Sequence, residues 1–185
     1  MDGPRTDPVL PGIELRREER RYTVQGSTGE DLLQSLRRLG PKDESRSYFG
    51  FTEWTMSWEA RPTPLEAGCA LERVRVSVQL VTTLPEWTPA GTVADGLVAR
   101  WERFVTALED HESRHDELVL QGARVLLRRL RALRTTSCAT LRLEAEATHH
   151  EVLTAVRTRN REYDDTTRHG VARGAYWPPN PPPRL

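Results

Sequence analysis

Neither sign of charge prevails in this chain: 27 Lys and Arg stand against 27 Asp and Glu, a net charge of zero with His neutral. No global field therefore draws it to nucleic acid or to an anionic membrane. No apolar run approaches the roughly 20 residues of a membrane helix, and the sequence holds no internal repeats. Cysteine is scarce, with Cys69 and Cys138 alone. Their separation and the lack of a CxxC neighbour argue against a cysteine metal site. The count itself leaves one disulfide or two free thiols open. A secretory signal is also missing. Met1-Asp2-Gly3-Pro4-Arg5 is acidic and Pro-rich with no apolar segment behind it. The expected location is the cytoplasm, the alternative an exported protein whose leader has been removed.

What the chain holds suffices for one packed domain: 185 residues, 37% hydrophobic and 29% charged, fit an ordinary globular protein. Residues 1–12 carry three Pro and two Gly and read as a flexible arm, 13–177 as the domain, and 178–185 as a Pro-rich tail. From Ile13 the chain reads as extended through Tyr22-Thr23-Val24-Gln25. Thr28 and Asp31 then resemble a helix-capping pair ahead of Leu32, Leu33, Leu36 and Leu39, and Gly40-Pro41 ends the helix. Over 48–58, Tyr48, Thr52, Trp54, Met56 and Trp58 share one phase. This predicts a half-buried strand whose aromatic face packs into a core, a substrate groove being the alternative. Pro62-Thr63-Pro64 reads as a connector. Over 69–81, Val74, Val76, Val78 and Leu80 face in and Arg73, Arg75, Ser77 and Gln79 face out, so strands in a hairpin or meander are expected.

Helical periodicity runs over 93–133, with one stripe from Leu97, Trp101, Phe104 and Leu108 to Val119, Leu126 and Leu130. Within that stripe lies His111-Glu112-Ser113-Arg114-His115, the pattern His-Glu-x-x-His. Imidazoles four residues apart project from one helix face and can grip a single tetrahedral ion, while the carboxylate between them stands ready to take a proton from a water. A solvated face bearing two His by chance is the plain alternative. The stripe speaks against it, because unpaired imidazoles and a carboxylate among apolar turns need something to satisfy them. A second helix is predicted over 139–161, with Leu141, Ala145, Thr148, Val152 and Val156 in phase, and 162–185 reads as irregular.

A catalytic zinc takes three protein ligands and keeps a position for water. The metzincin pattern is excluded, since Asp116-Glu117-Leu118 follows His115. Glu144, Glu146, Glu151, His149 and His150 are candidates for the third ligand, but as helical residues they suit a solvated face. His169 is the preferred one. It lies in the polar stretch Tyr163-Asp164-Asp165-Thr166-Thr167-Arg168-His169-Gly170, and Gly170 permits a sharp turn after it. Asp164 and Asp165 are expected to orient a ligating His, or less readily to ligate. Tyr163 and Arg168 are candidate donors to an oxyanion.

The order of these pieces resembles the bacterial DUF922 family, regarded as secreted zinc-dependent proteases. The matching pieces are Tyr22-Thr23-Val24-Gln25-Gly26, Gly40-Pro41, Phe51-Thr52-Glu53-Trp54 with Trp58, Cys69, Leu84-Pro85 with Trp87, Trp101, His111-Glu112-x-x-His115, Cys138 and Tyr163-Asp164-x-x-Thr167-x-His169-Gly170. They span the chain from about Tyr22 to Tyr176. The resemblance implies a zincin-like metallopeptidase fold, zinc on His111, His115 and His169, and Glu112 as general base. It also implies that Cys69 and Cys138 pair. The chain departs from exported members in showing no signal peptide.

The expected protein is thus α+β, a small antiparallel or mixed sheet packed on a long active-site helix and a second C-terminal helix. Its expected activity is zinc-dependent hydrolysis of a peptide or other amide. The rival expectations are a metal-dependent hydrolase or cyclase acting on a small molecule, and a non-catalytic binding module locked by its metal.

Overall fold

The computed structural model describes residues 5–43, 46–89 and 91–178. Strands β1 (Arg5–Leu10) and β2 (Ile13–Val24) precede helix α1 (Gly29–Leu39), and two short strands, β3 (Lys42–Asp43) and β4 (Arg46–Ser47), follow. Long strands β5 (Phe51–Leu65) and β6 (Gly68–Trp87) lead to helix α2 (Leu97–Ala132), strand β7 (Arg134–Thr135) and helix α3 (Cys138–Thr167). The fold is α+β, as expected. The main sheet has the order β1-β2-β6-β5, with β7 added to β6, and β1 and β7 run antiparallel to their partners. Among the described residues no helix is long and apolar enough to cross a membrane.

The predicted local signals take the expected form. Thr28 caps α1: its side chain accepts from the Asp31 amide at 3.2 Å, and the Asp31 carboxylate accepts from the Thr28 amide at 3.0 Å. Along β6 the inward Val74, Val76, Val78 and Leu80 are buried while Arg73, Arg75 and Gln79 are exposed. On β5 the phase of Trp54, Met56 and Trp58 faces the core.

The long elements contribute to two compact units. The first takes residues up to Glu18, Glu53–Leu80 and Asp116–Arg161. Its core joins Val74, Val76 and Val78 of β6 to Val119, Ala123, Leu126 and Leu130 of α2 and to Leu141, Ala145, Val152 and Val156 of α3. Gly122 makes the close approach that its place in the stripe suggested, since a Cβ there would lie 2.2 Å from Val156 Cγ2. Cys69 and Cys138 are joined in a disulfide, beside the pairing of Cys69 with Thr135.

The second unit takes Glu19–Thr52, Val81–His115 and Glu162–Leu185. Its core is built from Leu32, Leu33 and Leu36 of α1, Leu84 and Trp87 of β6, and Leu97, Trp101, Phe104 and Leu108 of α2. Trp177 closes it from the C-terminal side, edge-on to Trp101 and Phe104 at 5.5 Å from each, and donates its Nε1 to the Gly29 carbonyl at 2.8 Å.

Three stretches differ from expectation. Residues 5–10, read as part of a loose arm, form β1, and Pro62-Thr63-Pro64, read as a connector, continues β5. Both strands end the sheet order, and an edge position tolerates a residue with no amide hydrogen to donate. The third correction matters most: α3 runs on to Thr167, so Glu162–Thr167 is helical rather than irregular. The tail's residues 179–185 lie outside the described residues.

Candidate metal centre

The site is assembled within the second unit from α2, the end of α3, the turn after it, and the first residues of β5. His111, Glu112 and His115 lie on the buried stripe of α2 at 4%, 4% and 8% exposure. The two imidazoles meet edge to face with ring centroids 4.9 Å apart, and their Nε2 atoms are 3.3 Å from each other. Asp164 of α3 completes the group, its Oδ1 standing 3.2 Å from His111 Nε2 and 3.1 Å from His115 Nε2.

Three edges of 3.1–3.3 Å make a nearly equilateral triangle of ligand atoms. A tetrahedral zinc with bonds of about 2.0–2.1 Å separates its ligands by about 3.3 Å, so the donor atoms fit that ion. Electrostatics points the same way. Two imidazole lone pairs and a carboxylate oxygen converging in a buried space repel one another unless a cation or added protons stand between them. His111, His115 and Asp164 are therefore a group able to hold a metal ion. Burial alone would raise the Asp164 carboxyl. The hydrogen bonds from His111 and His115, with the charges of His115 and His169, outweigh it and hold the group below the usual carboxylate range.

Glu112 points to another partner. Thr52 Oγ1, on β5, donates to Glu112 Oε2 at 2.7 Å, and the Thr82 hydroxyl of β6 lies 3.4 Å from that of Thr52. Burial pushes the Glu112 carboxyl up, opposed by the Thr52 hydrogen bond and by His115 and His111. Gly50 closes the approach, since a Cβ there would come within 3.1 Å of Glu112 Oε1 and 2.9 Å of Leu108 Cγ. Neither Thr52 nor Gly50 was singled out from the sequence as part of the site. The available signal was a hydroxyl at Thr52 on the inward phase of an otherwise apolar strand.

The turn after α3 is wound tightly against His111. Arg168 and His169 both take φ of 52°, and Gly170 follows at 80°. Two non-glycine residues in the left-handed region are uncommon, and such backbone recurs at functional sites. Gly170 is needed there: a Cβ would sit 2.7 Å from Ala175 Cβ and 3.0 Å from His111 Cγ. Tyr163 stacks its ring on His111 at 4.9 Å and meets His115 edge-on at 5.2 Å.

Set beside the sequence, the geometry brings His111, Glu112, His115, Tyr163 and Asp164 together. Asp164, expected chiefly to orient a ligand, joins His111 and His115 in the group that could hold an ion, and His169, the preferred third ligand, lies outside that group. The His169 Nδ1 stands 3.6 Å from Asp164 Oδ1, with its side chain 45% exposed and its ring edge-on to Tyr48. The Tyr163 hydroxyl is buried without a hydrogen-bond partner among the described residues, so the ring and not the oxygen touches the triad. Arg168 and Asp165 are exposed.

A buried His-Glu-x-x-His on a long helix, met by a carboxylate from a second helix, defines a candidate metal-binding α+β protein. The chain belongs to the DUF922 family, bacterial proteins of unknown function, whose family model matches residues 19–170. No curated protein and no solved structure matches it.

Proposed function

We propose that this chain is a zinc-dependent hydrolase of the metallopeptidase type on a zincin-like fold, with His111, His115 and Asp164 holding the ion and Glu112 as general base. The observation that carries the reading is the triangle of three ligand atoms with a buried carboxylate next in sequence to one of them. Bound zinc would supply a Lewis acid that brings the pKa of a water from about 16 towards 7. Glu112 takes a proton from the attacking water and hands it to the leaving amine. Thr52 donates to one oxygen of that carboxylate and so fixes its orientation. Tyr163 holds the His111 plane by stacking. The Cys69–Cys138 disulfide favours action in an oxidising compartment.

A cavity of about 720 Å³ shares His111 and Tyr163 with the site and is lined also by Phe104, Arg103, Arg173 and Tyr176. Its size suits a short peptide side or a small amide, and it supports the second reading, hydrolysis of a small molecule. Zinc-reconstituted protein incubated with a peptide mixture and with small amides, read by mass spectrometry, separates the two. Glu112→Gln is expected to keep its zinc and lose turnover by about 10²–10⁴-fold, the usual contribution of a positioned base. Turnover equal to that of the unaltered protein would overturn the base role.

A further inference from the structure

On the first unit, far along α2 from the two His, the charge pattern changes character. Between Glu117 and Glu144 the sequence has no acidic residue, yet it carries Arg124, Arg128, Arg129, Arg131, Arg134 and Arg142. In a chain of zero net charge this is a local concentration of one sign. Arg124, Arg128 and Arg131 are spaced four and three residues apart, so they share a face of the helix over two turns. Like charges at such spacing disfavour a helix unless something neutralises them.

Neighbouring arginines are answered from within the protein. Arg129 Nη2 pairs with Glu151 Oε2 at 2.6 Å, and Arg134 Nη1 donates to the Leu133 and Arg131 carbonyls at 2.7 and 2.9 Å. No carboxylate answers Arg124 or Arg128 among the described residues. Arg131 is tied down differently, donating its Nη2 to the Pro11 carbonyl at 2.9 Å. That contact seats the β1–β2 turn on the helix. Gly12 takes φ of 102°, a backbone conformation that other residues rarely adopt, and the Arg131 guanidinium and Leu127 lie against it. The result is a cavity of about 290 Å³ lined by Arg124, Arg128 and Arg131 together with Leu127 and Pro11.

We infer that this cavity is a binding site for a multiply charged oxyanion of the phosphate class. Guanidinium forks match phosphate oxygens in pairs, and three of them around one space supply more donors than a single carboxylate can use. One wall is fixed in advance by the Pro11 contact, which lowers the ordering that binding has to impose. Leu127 and Pro11 give the space an apolar side, so a phosphate carried on a small organic body fits as well as the free anion. The site is independent of the proposed hydrolase activity.

The test is calorimetric titration of the purified protein with pyrophosphate at low salt. We expect one binding event per chain, weakened at least tenfold in Arg124→Gln/Arg128→Gln and unchanged in Arg129→Gln. Gln sustains a helix, and thermal melting verifies that each variant is folded. Absence of binding, or binding that survives the double substitution, would overturn the site. An equal loss in Arg129→Gln would overturn it too, reducing the effect to diffuse positive charge. Vesicles of phosphatidylcholine with and without phosphatidic acid form the second arm. Competition between them and pyrophosphate identifies a lipid headgroup as a source of the anion, and vesicle binding that pyrophosphate does not displace would overturn the cavity in favour of a flat surface.

Discussion

Two regions of the molecule bury polar groups in different ways, and the difference separates a core from a site. In the first unit Thr148 and Asn160 are buried, and each is satisfied by its own helix: Thr148 Oγ1 donates to the Glu144 carbonyl at 2.8 Å, and Asn160 Nδ2 to the Val156 carbonyl at 2.9 Å. Bonds of this kind close within one helix. In the second unit His111, Glu112 and His115 turn away from their own backbone and converge with Asp164 and Thr52, which arrive from α3 and β5. Polar groups gathered from three elements around one point carry a larger desolvation penalty than local bonds offset. One helix, α2, shows both regimes: its stripe is apolar at Val119, Leu126 and Leu130 and ionisable at His111, Glu112 and His115.

That contrast can be broken from either end. The largest effect is expected in the first unit, from opening the Cys69–Cys138 bridge. A crosslink spanning a sequence separation of 69 contributes about 4 kcal/mol by loop entropy. Melting with and without reductant should show the loss, while zinc content per folded molecule stays as it was. Next comes Leu126→Ala at a fully buried position, expected to lower stability by about 3 kcal/mol in chemical denaturation and again to leave zinc affinity alone. Thr52→Val in the second unit should act chiefly on turnover. It keeps the side chain's shape but takes the hydrogen bond from the buried Glu112 carboxylate, lowering turnover by about tenfold at a stability cost of about 1–3 kcal/mol, with Thr52→Ser restoring both. A Thr52→Val protein as active as the original would remove Thr52 from the site.

The parts of this arrangement that a periodic pattern encodes were legible in the sequence. The α2 stripe placed both His and Glu112 on the inner face, the alternation along β6 gave its buried side, and Thr28 with Asp31 gave the start of α1. The pairing of Cys69 with Cys138 came only through the family resemblance, since two cysteines by count fix nothing. Proline misled at β1 and β5 because sequence alone does not reveal which strands are edges. The stretch around Asp164 was read as irregular for a related reason. Glu162–Thr167 is polar on every side, so no period marks it as helix, and its place on the last turns of α3 comes from packing near His111 and not from its own pattern. Once that stretch was read as loop, His169 with its glycine looked the better ligand. In the structure the helix brings Asp164 Oδ1 to 3.2 and 3.1 Å from the two imidazoles, with His169 in the turn that follows.

The identity of the third ligand therefore decides the account, and metal analysis of two variants measures it. Protein reconstituted with zinc, passed through desalting and assayed by elemental mass spectrometry, should hold about one ion per chain, as three converging donors require. Asp164→Ala is expected to lose that ion while His169→Ala keeps it. The opposite pattern, zinc lost with His169 and kept without Asp164, or no retained ion in the unaltered protein, would contradict a centre built from His111, His115 and Asp164.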